Sequence, residues 1–507
     1  MHHSSRALHR ESGWFYDVYD IRRTLLATEV PETERDYRPV LILGLLVLAY
    51  VAVFGTLTWR QQSNFGTFGF DMGIYDQGIW LLSRFEAPFV TVRGLNYFGH
   101  HVNLITVLFV PFYWLGAGPH FLYLVETLAM AAGALPIWLL ASDKFEDKWT
   151  ALVPAGAFLL FPSLQWINWW HFHPDALIIT PLLFAWWLAS RQRWKWFTVA
   201  IVVAMLCKED AALAVIMLGV VLALRGDRKM GIRTALAGVA YFLICTKLFI
   251  PLANHGKEAF YEELFPGLGN SMFEIAYNIV RHPSRVYRQA FEPDRMLYYR
   301  QLLLPVGLLP FAAPLVLLVA GPQTLVNVVS GHQPTHDIRY HYSSIVIAVI
   351  FIATVEGMAR LMRRGHGWRI VVVALLVTSS VISNREWSPS PIGRQYKSGI
   401  WASAQPKHAA INQAMKLVRP SDGVTATYYL VPHLTHRKHI YEFPNPFIVA
   451  NWGVNGEDPP NKNNTDVLFL DVALNGDKQS LYQELIGPGG NFTIVFDQDG
   501  IVVARRG

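Results

Sequence analysis

Two carboxylates, Asp71 and Asp76, sit in the stretch Phe68-Gly-Phe-Asp-Met-Gly-Ile-Tyr-Asp-Gln77, just after the first long apolar run of the chain. Carboxylates beside a bilayer are costly to keep, so they mark a site more often than a surface. Glycines and apolar residues crowd Asp71. A poorly solvated carboxylate has its pKa raised toward the range useful to a general base. The two acids do not share one helix face well, though both reach one cleft from a turn. The plain alternative is a helix cap followed by a loop acid.

Other groups could act with them. His100 and His101 close the same loop. His171, His173 and Asp175, in Trp169-Trp-His-Phe-His-Pro-Asp175, offer imidazole and carboxylate at close spacing. With Asp71 or Asp76 they suit a divalent cation such as Mg or Mn. They equally suit interfacial histidines and an Asp175 that caps a helix after Pro174. Trp166, Trp169 and Trp170 read as an aromatic belt or a sugar-stacking platform. Lys208, Glu209 and Asp210 interrupt an apolar run, so they must pair with one another or face an aqueous cavity. There Lys208 would neutralise a phosphate, and Glu209 or Asp210 would orient a ligand or metal. Further on, His332, His336, Arg339, His341 and Tyr342 supply cations and hydrogen bonds that suit a lipid-linked phosphate.

The elements that must position these groups are membrane helices. The chain has 507 residues, of which 52% are hydrophobic and 16% charged. Soluble domains carry about 25% charged residues. Apolar runs fall at 39–58, 102–117, 120–142, 150–168, 175–190, 231–253, 301–320, 343–361 and 368–383. The stretch 196–225 reads as a hairpin of two short helices with Lys208–Asp210 at its tip. The expected fold is a polytopic α-helical membrane protein of roughly eleven helices. Basic loops at 191–195, 225–233 and 363–369 read as cytoplasmic. Placing all the acidic clusters on the outer face then requires one re-entrant or miscounted segment between residues 102 and 168. A net charge of +6, spread over short loops, does not point to nucleic acid. Residues 1–37 read as a cytoplasmic leader and 38–383 as the membrane domain, with outer loops 59–101 and 254–300. The basic, aromatic loop 254–300 suits amphipathic interface helices. Residues 384–507 read as a small extracytoplasmic α/β domain, with a helix at 406–418 and strands at 424–429, 466–472, 492–496 and 500–505.

The motifs Phe70-Asp-Met-Gly-Ile-Tyr-Asp-Gln77, Gly99-His-His101, His171-Phe-His-Pro-Asp175 and Cys207-Lys-Glu-Asp210 resemble those of the prokaryotic predicted membrane proteins grouped as domain of unknown function family 2079. Val431-Pro-His-Leu-Thr-His-Arg437 and Ile440-Tyr-Glu-Phe-Pro444 are similar to that family's outer-face segment. The family in turn resembles the C-type (GT-C) membrane glycosyltransferases, whose key acid lies in the first outer loop. Asp71 matches that position, while the second acid, Asp76, departs from the usual adjacent pair. The resemblance implies an inverting transfer of sugar from a polyprenyl-phosphate donor to a glycan, lipid or protein acceptor. Asp71 and Asp76 would be the catalytic acids. His100, His101, Lys208, Glu209, Asp210, Arg339, His341 and Tyr342 would bind substrate or phosphate, and His171, His173 and Asp175 a metal. The alternative is a transporter or flippase of a lipid-linked or polar solute.

Overall fold

The computed structural model of the protein describes residues 36–257, 264–269, 271–398, 403–450, 453–458 and 460–507. The expected leader, residues 1–37, lies almost wholly outside them. Among the described residues, five helices are long and apolar enough to cross a membrane: Arg38–Ser63, Pro119–Phe145, Arg228–Ala253, His341–Met362 and His366–Trp387. Beside them lie five shorter apolar helices, Leu104–Trp114, Pro174–Ser190, Trp194–Cys207, Ala211–Leu224 and Pro314–Val329.

Prolines and glycines explain why the expected run of roughly equal spans is not what forms. The segment 150–168 breaks at Phe161-Pro162 into Leu152–Leu159 and Pro162–Trp170. A proline lacks the N–H that would continue a helix and starts a new one instead. Residues 301–320 hold Pro305, Pro310 and Pro314, and they fold as short helical turns with Gly307 in the left-handed region. The segment 102–117 has Pro111 and yields only Leu104–Trp114. At 1.5 Å per residue that covers about 17 Å, against roughly 30 Å of hydrocarbon. It is therefore a helix too short to span straight.

Helix α1 (Arg38–Ser63) keeps most of its length on the outside, with Leu41, Leu45 and Leu48 exposed. Helix α2 (Ile74–Ser83) follows the turn after α1 and is largely buried. Next come α3 (Pro119–Ala132), α4 (Pro162–Trp170) and the hairpin pair α5 (Trp194–Cys207) and α6 (Ala211–Leu224). The hairpin forms as the sequence implied, with Lys208–Asp210 at its tip. Helices α6 and α7 (Arg228–Leu243) meet backbone to backbone. A Cβ on Gly219 would fall 2.5 Å from Gly231 O, and one on Gly231 would fall 2.5 Å from Gly219 O. Small residues allow such approach where no hydrophobic drive separates helix from lipid. Helix α8 (Ser344–Met362) is the buried centre of the bundle.

Loop 59–101 holds α2 and a short hairpin of β1 (Phe89–Val90) and β2 (Leu95–Asn96). The 254–300 loop holds helices Met272–Arg281, Pro283–Ala290 and Pro293–Leu303, with Tyr277, Val280, Tyr287 and Phe291 exposed. Near the C-terminus, β3 (Val424–Ala426), β4 (Ile440–Glu442), β5 (Val467–Asp471), β6 (Phe492–Gln498) and β7 (Ile501–Arg506) form one sheet in the order β4-β3-β5-β7-β6. The three strands β4, β3 and β5 run parallel, whereas β5-β7 and β7-β6 are antiparallel. Strand β4 was not legible in the sequence, because its three residues carry no alternation long enough to read.

Replacing Gly219 by Val puts side-chain atoms into the backbone of α7. Such overpacking costs about 1–3 kcal/mol. The thermal midpoint of purified Gly219→Val in detergent should fall by several degrees, and an unchanged midpoint would refute the close packing.

Candidate active site

The turn Gly69–Gly73 brings Asp71 to the head of α2. Asp71 has φ 68° and ψ −88°. That is the strained form of a γ-turn, rare for any residue with a Cβ. Such conformations cluster at functional sites and persist only when the surroundings enforce them. The flanking glycines are there for close approach. A Cβ on Gly69 would lie 2.9 Å from both Val431 and Glu442 Oε2, and one on Gly73 would lie 3.2 Å from Val431.

Both oxygens of Asp71 are engaged. Oδ1 lies 3.3 Å from His173 Nε2, and Oδ2 accepts the indole N–H of Trp170 at 3.3 Å. Burial raises the pKa of the Asp71 carboxyl, but His173, with His171 and His341 behind it, outweighs burial and holds it well below the ordinary value. The expected upward shift is thus reversed, because a desolvated acid with a cation at contact distance is stabilised as the anion. His173 answers in kind. Burial lowers its pKa, Asp71 and Asp175 raise it, and the net shift is upward. Its ring is stacked on His341 at 3.8 Å, and its backbone N–H donates to Glu126 Oε1 at 3.2 Å. Glu126 is fully buried on α3.

A second ionic group continues the same wall. Lys208 Nζ lies 2.8 Å from Asp175 Oδ1 and 3.4 Å from Asp210 Oδ2, with the Tyr342 ring 5.8 Å away. His341 Nε2 lies 3.9 Å from Asp175 Oδ1. His101 Nδ1 lies 2.8 Å from Glu209 Oε1, and Glu209 Oε2 accepts the N–H of Val102 at 2.9 Å. The His100 and His101 rings meet at 3.7 Å, tilted by 39°. Burial, then His101 and Arg93, keep the His100 imidazole far below its usual pKa and hence neutral.

These side chains enclose one polar crevice of about 90 Å³. Asp71 and His173 stand on its wall with Asp175, Lys208, His341, Tyr342, His100 and His101. Several wall residues escaped the sequence reading, among them Arg93, Tyr75 and Tyr97. Arg93 is 6% exposed and lies 3.2 Å from Glu457. One signal was available, a single cation in the otherwise apolar stretch Phe89–Leu95. Glu126 was also missed, although an acid inside an apolar span is itself a flag.

Other expected members lie elsewhere. Asp76, paired with Asp71 in the expectation, faces away from the crevice. Its Oδ1 accepts the Tyr113 hydroxyl at 2.6 Å, and its Oδ2 meets Thr435 Oγ1 and, at 3.2 Å, His436 Nε2. Five residues of turn and helix point the two acids to different sides. Arg339 is 46% exposed at its side chain and is spent on Asp337 at 2.6 Å. Glu209 stands behind His101, and Asp210 lines a smaller neighbouring cavity that shares Lys208 with the crevice.

The three residues expected to hold a metal each face another partner. His171 Nδ1 faces the Tyr123 hydroxyl at 3.1 Å, His173 faces Asp71, and Asp175 already holds the ammonium of Lys208. Among the described residues no three His, Cys, Asp or Glu side chains are arranged to hold a metal ion. The donors do not fit an Mg or Mn ion, so no step is routed through one.

The two ionic pairs have measurable consequences. Asp71 contributes stability that exists above its ordinary pKa of 3.8 and is lost as pH falls through its lower folded value. His173 contributes stability present below its ordinary 6.5 and lost as pH rises through its higher folded value. The stability advantage of wild type over Asp71→Asn should therefore be largest from about pH 4 to 6.5 and should shrink at higher pH. A flat difference across a thermal-unfolding series from pH 4 to 9 would disprove the pairing. Lys208→Met should destabilise by about 3–5 kcal/mol, because it strands buried carboxylates. Adding Asp175→Asn should recover part of that loss in the unfolding midpoint, and purely additive losses would count against the pair.

Residues 62–503 match the family described as predicted membrane protein (DUF2079). No curated protein matches the chain in sequence. Among solved structures, ArnT from Cupriavidus metallidurans in the apo state superposes with a TM-score of 0.52 at 14% identity, over 92% of this chain and 97% of that one. The Archaeoglobus fulgidus oligosaccharyltransferase in complex with Zn and sulfate gives a TM-score of 0.44 at 12% identity, over 91% and 73%. The likeness to ArnT is one of fold. With the family match spanning nearly the whole chain, the protein belongs to the predicted membrane protein family DUF2079.

Proposed function

We propose that the protein is an inverting glycosyltransferase of the GT-C type. It would move a sugar from a polyprenyl-phosphate donor to an acceptor hydroxyl at the outer face of the cell membrane. The observation that carries this reading is the ionised carboxylate of Asp71, strained, oriented by His173 and Trp170, and facing a crevice with Lys208, His100, His101 and Arg93 on its walls. The fold shared with ArnT supports it.

In this reaction the acceptor oxygen attacks the anomeric carbon from the face opposite the lipid phosphate. The new C–O bond forms as the bond to phosphate breaks, and the configuration inverts. The acceptor proton passes to Asp71. Its lowered pKa makes it a weak base, but one that is always ionised. A weak base serves when the hydroxyl becomes acidic late, as its bond to carbon forms. His173 fixes the direction of the carboxylate, which is the geometric part of the rate. The departing phosphate carries away the electron pair, and Lys208 is the wall cation suited to its charge. Asp175 and Asp210 hold that ammonium in place. A lipid donor fits the setting, since its tail lies among helices while its phosphate stays at the boundary. The acceptor is a glycan, lipid or protein hydroxyl, and the sheet domain lies beside the Asp71 turn, where it would meet it.

Purified protein incubated with radiolabelled polyprenyl-phosphate sugars and a panel of acceptors tests the reading. Asp71→Asn should lower turnover by about 10²–10⁴-fold. Equal transfer by both proteins would remove Asp71 from the mechanism. No transfer by wild type, with solute moving across vesicle membranes instead, would favour a transporter.

A further inference from the structure

The Asp71 turn does not hold itself. A left-handed aspartate costs about 1–3 kcal/mol and relaxes unless its neighbours prevent it. The segment 428–440, which leads from β3 into β4, meets the turn and α2 repeatedly. Gly69 N–H donates to Tyr428 O at 2.8 Å, and the Phe68 and Tyr428 rings meet edge-on at 5.1 Å. Val431 packs on Gly69 and Gly73. Thr435 Oγ1 donates to Asp76 Oδ2, and Gln77 Nε2 donates to the carbonyls of Arg437 and Lys438 at 3.2 Å. Asp76 is fully buried and Thr435 is 1% exposed, so this bond is shielded from water.

We infer that the sheet domain is a clamp that sets the geometry of Asp71, and that Thr435 is its positioning residue. The logic is one of spacing. Asp71 and Asp76 lie on one continuous turn and helix, so an anchor on Asp76 fixes the start of α2. The grip of Tyr428 on Gly69 fixes the other end. Between these two anchors the chain reaches His173 and Trp170 only through the left-handed conformation of Asp71. Asp76 thereby has a role that needs no contact with substrate. Tyr113 and His436 complete its hydrogen bonds, and among the described residues Thr435 is the hydroxyl that joins the segment between β3 and β4 to the acid. The catalytic part of the inference rests on the reading of Asp71 as the base. The clamp itself does not.

Hydrogen exchange followed by mass spectrometry on full-length protein tests the clamp directly. Thr435→Val keeps the shape and removes the donor, and Thr435→Ser restores it. Peptides covering residues 69–83 should exchange at least about tenfold faster in Thr435→Val, with peptides from α8 unchanged as the control for folding. Thr435→Ser should stay within about threefold of wild type. In the transfer assay Thr435→Val should lose about tenfold or more in kcat with donor KM little changed, since the donor's own contacts remain. Unaltered exchange at 69–83 would overturn the clamp. Faster exchange with undiminished turnover would overturn the positioning role. If wild type transfers no sugar, the glycosyltransferase reading fails, and the exchange data still decide the clamp.

Discussion

Ionisable groups buried around a polar crevice must each find a partner at contact distance, and this requirement organises the molecule. Asp71 finds His173, Asp175 and Asp210 find Lys208, and Glu209 meets the His101 ring and the Val102 N–H. These partners come from four separate stretches of chain: the turn after α1, the loop before residue 104, the residues around Pro174, and the tip of the α5–α6 hairpin. Removing either member of a pair leaves a charge whose desolvation nothing offsets. The helices that carry them are therefore docked by charge at one end of the bundle and by close packing, as at Gly219 and Gly231, farther along it.

The crevice is lined by segments that leave regular helix. Prolines at 111, 162, 174 and 305–314 end or interrupt helices elsewhere in the bundle or beside it. Within a membrane protein, non-helical backbone is tolerated where it is buried in protein or lines a cavity. The turn at Asp71, the His171–His173 stretch and the Lys208–Asp210 tip all meet that condition. Chemistry-bearing residues thus sit where the backbone has left regular structure, positioned by the elements around it.

Much of this was legible in the sequence. The apolar runs fixed a membrane bundle, and charged or histidine residues in an apolar setting are costly enough to stand out. Asp71, His173, Lys208 and their neighbours were visible for that reason. The hairpin at 196–225 was readable from charges in its middle and basic residues on both sides. Helix lengths were less so, because hydropathy does not register where a proline divides one apolar run in two. Arg93, Tyr75 and Tyr97 were hidden because nothing in their own neighbourhood says that the chain folds back on the histidines. The partners of the expected metal set were hidden for a related reason. Close spacing along the chain brought His171, His173 and Asp175 together in sequence, while each side chain turned to a different partner in space.

The sequence by itself determined the solvent and the cast: a bilayer-embedded bundle, and a short list of acids, histidines and one lysine too costly to be decorative. Only the tertiary structure decided their assignments. It turned Asp71 into the crevice and Asp76 toward the sheet domain, and it made the first carboxyl an anion by setting an imidazole against it. Spacing along a chain fixes which residues are near in number, whereas direction and pKa depend on atoms contributed by distant segments.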